Sequence, residues 1–292
     1  MEKTTIALLI LIILILMLIT FNCKSNFGKR NFGKKNFVKS VFNQNELDIV
    51  QNLYKNKFNK RFIKNGNNDS LDGVDMVYVI TMPQRKEYIT KQINKLKLIC
   101  KYFDAVKPSD LSTDEYNKLS STNIVRSDIY KKYTRLPVLL SFVMCFIDAI
   151  ENKYKNILVF EDDIKININL PILNLGITEF LESPCDIFYM GYCYMNCKQL
   201  VSLHKYKQIV EVEDRNILCC HALCIKTEML PGLINFCFPM NQNSDELFRN
   251  YYILNNIKIC VPRKAYFLQN RDNIESLNES LEDELLTCTY LN

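Results

Sequence analysis

NILVFEDDIKI, residues 156–166, is the stretch on which the reading of this chain turns. An apolar run, Ile157-Leu158-Val159-Phe160, ends in three acids, Glu161-Asp162-Asp163, and becomes apolar again at Ile164. The run reads as a buried strand. Adjacent carboxylates repel, and burying them without a partner is costly, so the arrangement requires a positive charge. If strand geometry persists through the acids, Glu161 and Asp163 point to one side and Asp162 to the other. A pair spaced by one residue suits a shared divalent cation. Hard oxygen donors suit magnesium or manganese, which also bind phosphate oxygens. The acids therefore read as a site for a metal carrying a phosphorylated substrate. An exposed acidic turn is the plain alternative, and the apolar residues on both sides argue against it.

Working outward, strands and helices alternate. Val74–Ile80 reads as a buried strand, and Pro83 opens an amphipathic helix running to about Cys100, with Ile89, Ile93, Leu96 and Ile99 at helical spacing. Tyr102–Val106 reads as a short strand. Leu136–Ile150 is apolar on nearly every face and too short to span a bilayer, so it reads as a central buried helix. Strands are expected at Asp186–Met190, Leu218–Ile225 and Ile257–Val261, and a helix at Ser244–Asn255 with Ser244 as its cap. The alternation predicts an α/β fold: a mostly parallel sheet with helices on both faces, in which ligands collect beyond the carboxyl ends of the strands. Gly-x-Gly-x-x-Gly and Walker loops are absent from the sequence, which has only seven glycines, so the familiar dinucleotide and P-loop folds are excluded.

Thr4–Cys23, TTIALLILIILILMLITFNC, is twenty residues without a charge. At ~1.5 Å per helical residue it reaches about 30 Å, the thickness of a bilayer core. It reads as an uncleaved signal anchor; a cleaved signal peptide is the alternative, but no small-x-small cleavage site follows Ile19. Residues 24–70 read as a basic stem, opening with the repeat NFGKR, NFGKK, NFVKS, and residues 71–292 as the catalytic domain. The chain carries +5 overall, but residues 23–64 hold eleven Lys/Arg against two acids and residues 1–22 sum to zero, which leaves −4 for residues 65–292. Nucleic acid is therefore not an expected partner. Orientation stays open. The basic residues after the span favour a cytosolic bulk, and the sequons at Asn68 and Asn278 favour the opposite. Twelve cysteines include no Cys-x-x-Cys pair and the chain has only two histidines, so no cysteine metal site is expected. The Lys-, Asn- and Ile-rich composition suggests an AT-rich genome. The expected location is a membrane, single-pass, of Golgi/ER type or viral.

The order of motifs resembles glycosyltransferase family 25, which includes lipooligosaccharide and procollagen galactosyltransferases. The matching segments are VYVITMPQRKEY (77–88), SFVMCFIDAIENKYKNILVFEDDI (141–164), the His-Ala strand Cys220–Ile225, the acidic helix start Ser244-Asp245-Glu246, and a final Pro262, Gln269, Ser276 segment. Together they cover roughly residues 75–276. Where the family usually has a Ser-His pair before the acids, this chain has Ser141-Phe142. The resemblance implies a GT-A fold, a UDP-sugar donor, and manganese (or magnesium) held by a DxD-like motif. It implies transfer of a hexose, galactose or glucose, to a glycan or protein hydroxyl. Glu161 and Asp163 are then the metal candidates, and Asp162 faces ribose or sugar hydroxyls. Asp245 is the candidate base with Glu246 as its substitute; for both, an acid favoured by the helix dipole is the alternative. His221 would help hold metal or diphosphate, or else is a hydrogen-bonded, half-buried histidine. Arg85 would contact the nucleotide, or else is a solvated loop residue. A catalytically inactive anchored relative and another metal-dependent enzyme of phosphate chemistry are the competing functions.

Overall fold

The computed structural model describes residues 44–65, 71–120, 129–192, 194–195, 200–201 and 205–270, all within one compact unit. The expected anchor (1–23), the repeat at 26–40, both sequons, His204 and the acidic tail from 271 lie outside the described residues. Among the described residues, no helix is long and apolar enough to cross a membrane.

The strands are β1 (Phe62–Asn65), β2 (Met76–Thr81), β3 (Cys100–Asp104), β4 (Asn156–Phe160), β5 (Ile164–Ile166), β6 (Ile187–Gly191), β7 (Tyr194–Met195), β8 (Leu200–Val201), β9 (Ile209–Val212), β10 (Ile217–Leu218), β11 (Ala222–Lys226), β12 (Ile259–Pro262) and β13 (Phe267–Gln269). The helices are α1 (Gln44–Leu53), α2 (Lys86–Asn94), α3 (Thr113–Leu119), α4 (Ile129–Glu151), α5 (Leu170–Glu182), α6 (Leu230–Phe236) and α7 (Ser244–Leu254). Nine of the described strands form one sheet in the order β1-β3-β2-β4-β11-β6-β12-β9-β8. The sheet is mixed. β2 runs parallel to both β3 and β4, and β6 runs parallel to β12, whereas β11 lies antiparallel between β4 and β6.

Alternation along each strand sorts the core into two layers. Tyr78, Ile80, Ile157, Val159, Tyr189, Leu223 and Ile225 face the helices α1, α3, α4, α6 and α7. Val77, Val79, Leu158, Phe160, Phe188, Met190 and Cys224 face α2, α5 and the β5–β13 ribbon. The acid-terminated strand is therefore buried on both faces, and Ile157–Phe160 are all 0% exposed. Helix α4 is apolar around its circumference because the sheet covers one side and α6 and α7 the other. It continues through Pro137, and the Ser141 hydroxyl donates to the Pro137 carbonyl at 2.8 Å while accepting the Val106 N–H at 2.9 Å.

Two of the boundaries that differ from the sequence reading bear on the architecture. Helix α2 ends at Asn94, and Lys97 takes a left-handed φ of 53°, so Leu98 rather than Ile99 is buried. More consequentially, residues 44–65 belong to the body and not to a stem. Val50, Leu53, Tyr54 and Phe58 are core residues, and β1 pairs antiparallel with β3 to form the edge of the sheet. The segment is also pinned by a buried polar network. The Asp148 carboxylate, 4% exposed, accepts the Tyr54 hydroxyl at 3.0 Å, the Tyr78 hydroxyl at 2.5 Å and Lys101 Nζ at 2.7 Å. The stem reading failed because Lys55, Lys57, Lys60 and Arg61 interrupt the apolar pattern. Arg61 and Lys57 are themselves tied to Asp110 at 2.7 Å and Glu115 at 2.9 Å.

Removing residues 1–40 should leave a cooperatively melting protein. Removing residues 1–65 strips Val50, Leu53 and Phe58 from the core, each worth about 2–5 kcal/mol, and should abolish the transition. Calorimetry of the two truncations checks this; equal melting would show that 41–65 is dispensable.

Candidate functional site

The three acids sit where β4 leaves the sheet. The ladder extends one step past the strand, because the Glu161 N–H donates to the His221 carbonyl at 3.0 Å. Asp162 and Asp163 then occupy a turn, and the partners of the three carboxylates diverge.

Asp162 is buried, at 7% exposure. Its Oδ2 accepts the Met82 backbone N–H at 2.7 Å and its Oδ1 accepts Arg85 Nη1 at 3.1 Å. Burial raises its proton affinity, opposed by these two donors. The expectation that Asp162 faces sugar hydroxyls is corrected: both oxygens are engaged in holding the turn between β2 and α2. Arg85, expected at the nucleotide, is likewise drawn into this ion pair.

Asp163 is held differently. Gln269 Nε2 donates to its Oδ2 at 2.8 Å, and its backbone carbonyl accepts the Asn270 N–H at 2.6 Å. Its Oδ1 is buried without a hydrogen-bond partner among the described residues. Glu161 lies within the field of the other acids. Burial first, then the charges of Asp163, Asp162 and Asp245, push its proton affinity well above the ordinary carboxylate range, with Arg85 acting the other way.

Asp245 reaches this cluster from 84 positions away in sequence. Helix α7 begins at Ser244 itself, and its N-cap is Asn243, one residue before the expected cap. Asp245 Oδ1 accepts the Glu246 N–H at 3.0 Å, and the Cys219 backbone N–H donates to the same carboxylate. Burial raises the Asp245 proton affinity, as does the Glu246 charge. Glu246 itself reaches back to the Asn243 N–H at 3.3 Å in a capping box. Glu246 therefore serves as a helix cap, in keeping with the helix-start alternative. The Ser141-Phe142 departure also has a packing role: Phe142 is 1% exposed and meets Phe248 of α7 edge-on at 5.8 Å.

His221 is 1% exposed, and its Nε2 lies 3.3 Å from the Phe267 carbonyl, to which it donates. It is the hydrogen-bonded histidine of the alternative reading, wedged against Gly191. A Cβ at Gly191 would lie 2.3 Å from His221 Nε2 and 2.9 Å from the Phe267 carbonyl oxygen. Sequence reasoning missed three contributors: Gly191, Gln269 as a partner of Asp163, and Cys219. An isolated glycine closing the apolar run IFYMG was the available signal for the first. Cys219 takes a left-handed φ of 68°, splits the expected Leu218–Ile225 strand into β10 and β11, and is disulfide-bonded.

Among the described residues no group of three or more His, Cys, Asp or Glu side chains forms a metal-holding set. The donors present fit a hard cation shared between one or two carboxylates and phosphate oxygens, since Asp163 Oδ1 is an orphaned buried acceptor and Glu161 stands in an excess of negative charge.

A carboxylate whose folded pKa exceeds its unfolded one gives stability that is full below the ordinary carboxylate range. That stability is lost as pH rises through the elevated value. Thermal melts of the chelator-treated chain should therefore show Glu161→Gln gaining a few degrees over wild type at about pH 8 and little or nothing at about pH 5. An equal offset at both values would remove Glu161 from the cluster.

Comparison with curated proteins returned no match. Among solved structures, the chain is similar to the crystal structure of A197 from STIV at 10% identity and a TM-score of 0.31, over 70% of this chain and 98% of that one. That TM-score carries no argument. The description Glycosyltransferase family 25 (LPS biosynthesis protein) matches residues 75–220, half of the chain. The match includes Arg85 and all three acids and ends one residue before His221. With the ordered motifs on either side of the acidic turn, it makes the chain a member of glycosyltransferase family 25.

Proposed function

We propose that this chain is a glycosyltransferase that moves a hexose, galactose or glucose, from a UDP-sugar to a hydroxyl of a glycan or protein. Family membership supports the reaction class. The observation that carries the site assignment is the buried, unpartnered Oδ1 of Asp163 beside Glu161, at the carboxyl end of a central strand. The layered mixed sheet with acids at that end supports a GT-A type of fold.

In this reading Asp163 and Glu161 hold manganese or magnesium. A cation held there would supply positive charge against the charge developing on the diphosphate leaving group. Asp162 and Arg85 fix the turn after β2, beside the acids. Asp245 is the base. Its burial raises its proton affinity toward that of a group able to take a proton from an attacking hydroxyl. The Cys219 and Glu246 N–H groups hold its carboxylate in place while it does so. Thr4–Cys23 anchors the chain in a membrane, single-pass. The disulfide at Cys219 supports a body facing an oxidising compartment, of Golgi/ER type or its viral equivalent.

The test is UDP binding by the detergent-solubilised full chain, with and without manganese. Wild type should bind UDP in a manganese-dependent way, and Asp163→Ala should lose more than about 100-fold of that dependence. No binding under either condition would favour the inactive relative. Metal-dependent phosphodiester cleavage without sugar transfer would favour the other phosphate-chemistry enzyme. In a donor-sugar turnover assay, Asp245→Asn should lower kcat by about 10²–10⁴ with UDP affinity unchanged. Unaltered turnover would remove Asp245 as the base.

A further inference from the structure

Asp162 and Asp163 are adjacent, yet the chain gives them opposite kinds of partner. Asp162 receives a cation, Arg85, and a backbone N–H, so its charge is met and both oxygens are occupied. Asp163 receives a neutral amide on one oxygen, which orients the carboxylate without cancelling its charge, while the other oxygen stays buried and bare. The amide arrives on β13, which pairs antiparallel with β5 and sets Gln269 opposite Ile164, the residue next to Asp163. Two further bonds lock that register: the Asn270 N–H to the Asp163 carbonyl at 2.6 Å, and the Tyr88 hydroxyl to the Ile164 carbonyl at 3.0 Å. Asp163 is thus fixed through its backbone and through one carboxylate oxygen. Its rotation about the side-chain bonds is restrained with the second oxygen left as a single donor.

We infer that Gln269 is a positioning residue, whose side-chain amide presets Asp163 as a one-oxygen ligand for a divalent cation. The inference rests on the cation reading given under Proposed function. A neutral donor is the chemistry required at this point, because a Lys or Arg would neutralise the ligand and an acid would repel it. The short β13 strand is then part of the site, although it lies outside the nine-stranded sheet and 106 residues from Asp163 in sequence.

The experiment is a manganese titration of the full chain in the presence of UDP, with free manganese read by electron paramagnetic resonance. A thermal melt without metal is run beside it. Gln269→Ala should weaken manganese binding by about 10- to 100-fold while the metal-free melting temperature stays within a few degrees. Gln269→Met keeps the side-chain volume and removes the donor, so it should lose as much as Gln269→Ala. Manganese binding at wild-type strength in Gln269→Met, with Asp163→Ala binding none, would overturn the positioning role and leave the cation site standing. Binding unaffected by Asp163→Ala would overturn the site reading, and this inference with it. If Gln269→Ala fails to fold, the Met variant alone decides.

Discussion

The site depends on one pairing: β11 running antiparallel between β4 and β6. In a wholly parallel sheet, the residues beyond the carboxyl end of β4 would meet only other carboxyl ends. Reversing one strand brings an amino-terminal approach, Cys219-Cys220-His221, to the same edge. The Glu161 N–H to His221 carbonyl bond extends the ladder to the first acid, so Glu161 is fixed by the sheet. The same approach strand offers the Cys219 N–H to Asp245 and so docks the amino-terminal turn of α7 onto the cluster. Gly191, at the carboxyl end of β6, leaves the space that the His221 ring fills. Three neighbouring strands thereby gather groups that the sequence separates by up to 84 positions.

Behind that edge, packing holds α7 at the distance its acid requires. Phe142 and Phe146 of α4 meet Phe248 at 5.8 and 5.9 Å, and Tyr252, one helical turn beyond Phe248, meets Tyr189 of β6 edge-on at 6.2 Å. These rings are essentially unexposed, so the helix bearing Asp245 is seated by aromatic contacts with both α4 and the sheet. On the other side of α4, Asp148 joins Tyr54, Tyr78 and Lys101 in a low-dielectric pocket, a network that is costly to break once formed. The carboxyl-terminal half of the central helix is therefore braced on two sides, by aromatic rings and by a polar network.

Much of this was legible in the sequence because its cause was local. Val77–Ile80 and Ile157–Phe160 are continuous apolar runs, and a run with no polar side and only four residues long reads as a strand buried on both faces. Leu136–Ile150, apolar on nearly every face but longer, was legible as a central helix. The acidic turn stood out because it interrupts such a pattern. What did not show was the division of labour within it. Asp162 and Asp163 have the same side chain, and only the long-range arrival of Arg85 and Gln269 tells them apart. Glu246 reads equally as base or cap until Asn243 is seen to precede the helix. His221 stood as a candidate ligand through the resemblance of the His-Ala strand; the space for its buried ring is left by Gly191, thirty residues earlier. Residues 44–65 were misread because charged side chains on their outer face masked a sparse apolar set facing the core.

The Asp162 clamp bears on how relatives of this chain are to be judged. An acid that holds a turn by bonding Met82 and Arg85 is retained by selection for folding, whether or not any sugar is ever transferred. A descendant that gave up catalysis would keep the middle acid and shed its neighbours. On the proposed reading the acidic triplet combines two roles side by side, one serving the fold and the other the reaction. If Glu161 and Asp163 hold the cation as proposed, they are the positions that distinguish a working enzyme from a surviving scaffold.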